Sequence, residues 1–208
     1  MKKIYPVFLL VFFCIACSND FDESTQTESS VVANTTYTTA NSITALDAVV
    51  WQLVTTYNSN NTETSKTLSQ TITLLDSISN LNSHFLELKP TNYTTITTTN
   101  AQKFVSNYNE EFQLLAASLT VKAYYAQMIE DDVNWVTMLQ TISNDNQLNA
   151  TEKSSLLFMV HILKENPPYG DDGDDYWNKK GIVAAHLGFT ESSAQAVFNV
   201  ALAIIYQP

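Results

Sequence analysis

Arginine is absent from this 208-residue sequence, and all ten of its basic residues are lysines. They stand against 21 acidic residues, which gives a formal net charge of −11. Nucleic-acid-binding proteins neutralise phosphate with a basic face and read guanine with the planar guanidinium of arginine. The sequence therefore predicts a protein that does not bind nucleic acid, and any charged partner is expected to be cationic.

Cysteine is nearly as scarce, since the only two, Cys14 and Cys17, lie close to the N-terminus. The chain beyond them has no thiol nucleophile and no disulfide, so a folded domain must rely on its apolar core. A domain of this size buries roughly 70% of its unfolded surface and needs no covalent staple. The chain also has no glycine-rich phosphate loop, no Gly-x-Ser-x-Gly and no His-Glu-x-x-His. No motif predicts a reaction or a cofactor.

Residues 1–16 have the pattern of a secretory signal peptide. Lys2 and Lys3 precede an apolar run from Ile4 to Ile15, and the small residue Ala16 follows. This run of about a dozen residues is too short to span a bilayer comfortably as a helix. Removal of the leader leaves eight lysines against 21 acidic residues.

The segment Cys14-Ile15-Ala16-Cys17 resembles the lipobox of bacterial lipoproteins, with Cys14 in place of the usual leucine. The resemblance implies a diacylglycerol thioether on Cys17, so that lipid holds the protein on a membrane. A plain secretory peptide cut after Ala16 is the alternative. The acidic stretch at 18–23 is similar to the surface-export signals of Bacteroidota lipoproteins. These resemblances imply a lipid anchor in the bacterial outer membrane, with the protein on its periplasmic or its outer face.

Residues 17–40 are rich in serine, threonine, asparagine and acidic residues and hold too little apolar surface to fold. They are predicted to form a flexible tether whose reach is on the order of 25 Å. From residue 41 onward apolar side chains recur at helical spacing. The pattern predicts an all-α domain over 41–208, a single compact bundle of six or seven helices. The predicted helices cover 41–57, 68–88, 101–128, 135–142, 150–163, 176–187 and 191–206.

Some local features refine this prediction. Residues 91–99 are nearly all threonine, which favours a loop or a short edge strand. Asp132 and Thr190 are the predicted N-caps of the helices that follow them. Residues 156–163 are apolar on every side, so their helix is predicted to lie at the centre of the bundle.

Four carboxylates fall within five residues before the last two predicted helices: Asp171, Asp172, Asp174 and Asp175. They repel one another unless water or a cation separates them, and hard oxygen ligands suit calcium. The loop is therefore either a calcium site or a solvated acidic connector. The neighbouring aromatic residues Tyr169 and Trp177 are the predicted contacts for a protein or glycan partner.

Two segments resemble known motifs but lack residues that those motifs need. Residues 180–203 are similar to a bacterial helix-turn-helix, yet the second helix has no basic residue, so a tight corner between helices is predicted. Residues 141–152 resemble an EF-hand calcium loop, but Thr141 occupies the first ligand position and Asn146 replaces the required glycine. The alternative there is a capped turn that ends in a capping box at 149–152.

The three histidines, His84, His161 and His186, each lack a second histidine one helical turn away. His161 lies in an apolar helix and is predicted to be a hydrogen-bonded core residue.

Three functions stay open. The first is a non-catalytic lipoprotein domain that binds a protein or a glycan. The second is an envelope hydrolase whose carboxylate site is assembled from residues distant in sequence. The third is a calcium-binding structural module. His161 beside an acid, or a pocket with two carboxylates, favours the hydrolase, whereas a filled core with a flat acidic face favours the binding domain.

Overall fold

The computed structural model describes residues 40–60, 66–130, 132–165 and 174–206, with the backbone alone for residues 40–44 and 174–176. The predicted signal peptide, Cys17 and the tether up to residue 39 lie outside the described residues. All described residues belong to one unit that begins at Thr36. The helices in these ranges are α1 (Ala40–Asn60), α2 (Leu68–Ser79), α3 (Ser83–Leu88), α4 (Thr98–Val105), α5 (Tyr108–Leu114), α6 (Leu119–Met128), α7 (Trp135–Asn144), α8 (Ala150–Glu165), α9 (Asp174–Phe189) and α10 (Ser193–Ile205).

The described part of the chain contains helices and no strand, which confirms the all-α prediction. Its ten helices exceed the six or seven predicted, so that count is wrong. No helix in these ranges is long and apolar enough to cross a bilayer.

The extra helices come from breaks inside two long apolar patterns. The helix predicted at 68–88 is divided, because Asn82 caps α3 by accepting a hydrogen bond from the Phe85 backbone N–H at 2.9 Å. The helix predicted to start at 101 is divided into α4, α5 and α6, and Ser118 caps α6 at the Val121 N–H. Side chains of this kind offer backbone N–H groups a partner outside the helix, so a new helix can begin in mid-pattern.

The threonine-rich segment is a loop over 91–97, the first of its two predicted alternatives, and Thr97 then caps α4 by accepting from the Asn100 N–H. Two predicted N-caps are corrected. The N-cap of α7 is Asn134, not Asp132. The N-cap of α10 is Ser192, because the Thr190 hydroxyl instead donates to the Leu187 carbonyl of α9.

The corner between α9 and α10 depends on Gly188. A Cβ atom built on this residue would lie 2.2 Å from Cα of Ala196, closer than any real contact. Backbone of α10 therefore passes directly over the end of α9, where only glycine leaves room. This contact holds the two helices together over a three-residue connection, Thr190 to Ser192.

The centre of the domain is formed by α10, which packs against α9 and α1, and by α8, which packs against α1 and α9. Every residue from Ala194 to Ile204 is buried, and so are Leu156 to Val160 on α8. Buried polar groups on α10 satisfy one another, since Gln195 donates to Asn199 at 2.7 Å and Asn199 donates to the Ala184 carbonyl. The apolar segment of α8 is central, as its composition predicts.

Candidate functional site

Three side chains with ligand-type atoms converge where α1 packs against α8. Asp47 comes from α1, and His161 and Glu165 come from α8. One ligand atom from each lies within 4.8 Å of the other two. His161 and Glu165 are four residues apart, a spacing that puts both side chains on one face of the helix. The contact between the two helices brings Asp47 to the same point, and we call these three residues the Asp47 cluster.

Asp47 is the buried member of the cluster. Only 6% of the residue is exposed, and its Oδ1 atom is buried with no hydrogen-bond partner. Burial, and then the negative charge of Glu165, raise its pKa from 3.8 to about 6. The indole N–H of Trp51, one helical turn along α1, and the Lys164 ammonium both oppose this shift. Trp51 Nε1 is itself buried and makes no hydrogen bond of good geometry, so it does not satisfy Oδ1.

His161 lies at the edge of the core rather than inside it, with its ring partly exposed. Partial burial and the nearby Lys164 lower its pKa, although Glu165 opposes them. The imidazole is therefore held in its neutral form at pH 7, the form that accepts a proton or binds a metal ion. The sequence-based expectation of a core histidine is corrected to a partly exposed one beside two carboxylates.

Glu165 is the most exposed member and has one cationic neighbour. Lys164 Nζ lies 3.6 Å from Glu165 Oε1, with the two side chains 30% and 46% exposed. That separation is too long for a hydrogen bond and the pair is largely solvated, so it contributes little to stability. The cluster thus offers one buried and one exposed carboxylate and a neutral imidazole, and it can bind a cation or exchange protons.

The acidic loop predicted from the sequence is only partly described. Tyr169, Asp171 and Asp172 lie outside the described residues. Asp174 and Asp175 form the first turn of α9, where the backbone alone is described. Calcium binding at these four aspartates stays a prediction.

Trp177, the other predicted partner contact, lies one turn further along α9. Its ring is partly buried against the core, 3.8 Å from where a Cβ on Gly181 would stand, and its Nε1 is buried without a partner. The residue is only partly exposed, so a binding partner could contact no more than part of its side chain.

The EF-hand-like segment uses its polar side chains for local capping. Asn149 Oδ1 accepts from the Glu152 N–H at 2.9 Å, while a Glu152 carboxylate oxygen accepts from the Asn149 N–H at 3.0 Å. Asp145 accepts from the Gln147 N–H and from the Tyr124 hydroxyl. These reciprocal bonds are those of a capping box with asparagine as the cap, and they engage the oxygens that calcium would need.

The remaining two histidines have other surroundings. His186 Nδ1 and the Tyr125 hydroxyl are 2.8 Å apart, and the ring also bonds the Ala116 backbone, so both sides of the ring are fixed. His84 is exposed on α3, 3.8 Å from Glu87, with no buried carboxylate beside it. Of the three histidines, only His161 combines partial exposure with a buried carboxylate as its neighbour.

The Asp47 cluster was not predicted from the sequence. His161 and Glu165 have the i, i+4 spacing of a pair of metal ligands, but only a second histidine at that spacing was taken to indicate a metal site. Asp47 is a carboxylate within an apolar stripe between Leu46 and Val50, and this position was the one signal of a buried acid.

No protein-family model, no curated protein and no solved structure matches this chain. Its function must therefore be argued from the site itself.

Proposed function

We propose that this protein is a lipoprotein of the bacterial outer membrane, anchored by lipid on Cys17, whose helical domain is a non-catalytic binding domain. The anchor rests on one observation, the lipobox-like segment Cys14–Cys17 directly behind an apolar run. Two or more acyl chains give stable attachment where one chain is marginal. A tether of the composition seen in the segment before α1 would let the domain move above the membrane.

The binding half of the proposal rests on the Asp47 cluster. A buried carboxylate with an unpartnered oxygen opposes folding, and natural sequences keep such groups where function requires them. The buried polar residues Gln195 and Asn199 of α10, by contrast, have hydrogen-bond partners. Glu165 is the exposed member of the cluster, so a small cationic ligand or a cationic group of a partner would meet that carboxylate first.

Metabolic labelling tests the anchor. Cells that express the full chain are grown with radiolabelled palmitate, and we expect label on the wild type and none on Cys17→Ala. Cys14→Ala is the matched control and should still be labelled, because its thiol is removed with the leader. A wild type without label would identify a plain secreted protein and refute the anchor.

A carboxylate-dependent hydrolase is the second candidate, and one observation favours it. The partly exposed His161 stands beside Asp47, whose pKa of about 6 would let the two groups exchange a proton near neutral pH. Assays with nitrophenyl esters and glycosides distinguish the candidates. The binding domain predicts no turnover above that of His161→Gln, whereas turnover lost in that variant would establish a hydrolase.

A calcium-dependent structural module is the third. Calcium at the acidic loop predicts a higher melting temperature in millimolar calcium, because a ligand of the folded state stabilises it. The double variant Asp172→Asn with Asp174→Asn should lose that increase. An unchanged melting temperature in both proteins would leave the loop a solvated connector.

A further inference from the structure

We propose that Asp47, His161 and Glu165 bind a divalent first-row transition-metal ion, with zinc as the test ion. The inference names the ligand of the Asp47 cluster and so rests on the binding half of the proposed function. It does not depend on the lipid anchor.

The first support is geometric. Two ligands of a tetrahedral zinc ion, each about 2.1 Å from the metal, lie about 3.4 Å apart. The ligand atoms of the cluster already lie within 4.8 Å of one another. Closing the remaining gap of roughly 1.4 Å requires rotation of side chains alone. Glu165 is the exposed member with the longest side chain, so it can make this movement without disturbing the core.

The second support is the unsatisfied atom. Asp47 is more than nine-tenths buried, and its Oδ1 has no hydrogen-bond partner. A buried carboxylate oxygen without a partner is costly, and a cation removes that cost by neutralising the charge. The indole N–H of Trp51, on the same helix, is close enough to the carboxylate to lower its pKa but makes no hydrogen bond of ordinary geometry with Oδ1. A metal ion at the cluster would supply the missing partner.

The ligand types set the class of ion. Calcium and magnesium prefer sites made wholly of oxygen, while an imidazole nitrogen suits zinc, iron, nickel and copper. One imidazole and two carboxylates supply three protein ligands, and zinc sites with three protein ligands leave a fourth position for water or for a group of a partner. Zinc should therefore bind, and calcium and magnesium should not.

Lys164 is the opposing charge that the proposal must accommodate. Its ammonium lies 3.6 Å from Glu165 Oε1 and would compete with an ion for that carboxylate. The side chain is partly exposed and flexible, so it can turn toward water when an ion enters. Removal of this charge should make zinc binding tighter, whereas a purely structural ion pair predicts no effect on zinc at all.

The experiment uses the mature full-length lipoprotein in detergent, stripped with a chelator and titrated with zinc chloride in a calorimeter. We expect one zinc per chain that depends on Glu165, and any heat with calcium or magnesium should be the same in the wild type and in Glu165→Gln. Glu165→Gln should weaken zinc binding at least tenfold, and Lys164→Gln should strengthen it several-fold. Zinc should raise the melting temperature of the wild type but not that of Glu165→Gln.

The matched control is Glu87→Gln, which removes a glutamate from the exposed His84–Glu87 pair, where no buried carboxylate is present. It should bind zinc as the wild type does. Asp47→Asn should also lose zinc, and Glu165→Gln, at an exposed position, keeps the test decisive if that core variant does not fold.

Absence of stoichiometric zinc binding by the wild type overturns the inference, and so does equal loss in Glu165→Gln and Glu87→Gln. If a water molecule rather than a metal ion is the partner of Asp47 Oδ1, the wild type should show no stoichiometric zinc binding. Palmitate labelling is unaffected by either outcome, so a failed metal site and a failed anchor are told apart.

Discussion

Asp47 has a carboxylate oxygen that is buried without a hydrogen-bond partner. Without a metal ion, the protein should therefore be less stable than a variant that has no charge at this position. Asp47→Asn keeps the shape of the side chain, removes the buried charge and lets the new amide donate toward Glu165. At pH 7 in the presence of chelator, we expect denaturant unfolding to give this variant a higher unfolding free energy than the wild type, by on the order of 2 kcal/mol. A lower unfolding free energy would mean that the carboxylate is already satisfied.

The same carboxyl group should make stability depend on pH. Its pKa is about 6 in the folded protein against 3.8 ordinarily, so the folded state holds the proton more tightly. The contribution of the Asp47 carboxyl group to the unfolding free energy is therefore fully present below about pH 4 and is lost as the pH rises through about 6. The stability advantage of Asp47→Asn should grow over this interval and then stay level, which urea unfolding in chelator across that range measures.

Lys180 gives a pH dependence of the opposite sign. The residue is buried on α9, its Nζ donates to the Tyr206 carbonyl at 2.8 Å, and burial lowers its pKa to about 8. The unfolded chain binds this proton more tightly than the folded one, so unfolding free energy should rise as the pH increases above about 8. Lys180→Met should flatten that rise between about pH 8 and 10. Lys179→Met, at the partly exposed neighbour, controls for the loss of one positive charge and should retain it.

At the scale of the elements, the two glycines of α9 should respond very differently to the same substitution. In Gly188→Ala the new methyl meets α10 backbone at 2.2 Å, so the corner must open and stability should fall by about 3 kcal/mol or more. In Gly181→Ala the methyl meets the tip of the Leu163 side chain at 3.1 Å and the Trp177 ring at an ordinary 3.8 Å, and alanine is the better helix former. That variant should change stability by less than about 1 kcal/mol in thermal unfolding. Equal losses in the two variants would contradict the close approach.

The helices themselves were largely predictable, and the breaks between them were not. Helical periodicity located α1, α8 and α10 because each keeps one apolar pattern over its whole length. The breaks at Asn82 and Ser118 were missed because a polar residue there is equally compatible with the exposed face of a continuous helix. Apolar residues continue on both sides of each break, so the break becomes visible only in the hydrogen bonds of the caps.

For the whole molecule, composition and periodicity predicted the all-α class, but they could not place α1 against α8. Asp47 and His161 are far apart in the sequence, and no local pattern specifies which helix faces which. The partial burial of His161 and the isolation of Oδ1 are properties of that packing alone. Local sequence patterns relate only residues that lie close together along the chain, so they could not predict the complete site.

The same packing makes α10 indispensable to the domain. A chain ended after Ser192 lacks the helix whose residues Ala194 to Ile204 are all buried, so α1, α2 and α9 lose the helix that they share as a packing partner. We expect it to be digested rapidly by a protease and to show no cooperative unfolding, whereas a chain ended after Tyr206 should resist digestion. A protease-resistant fragment without α10 would show that the remaining helices form a core of their own.

The position of α10 also fixes when the chain can become a folded protein. The helix that fills the centre is the last of the described helices along the sequence, and it packs against the first, α1. A polypeptide threaded through a membrane channel from its N-terminus would have nothing to close around until residue 205 had passed. On the proposed route of export, the contacts of α10 with α1 and α9 could form only after that moment, so the order of the helices would keep the domain from closing while the chain is in the channel.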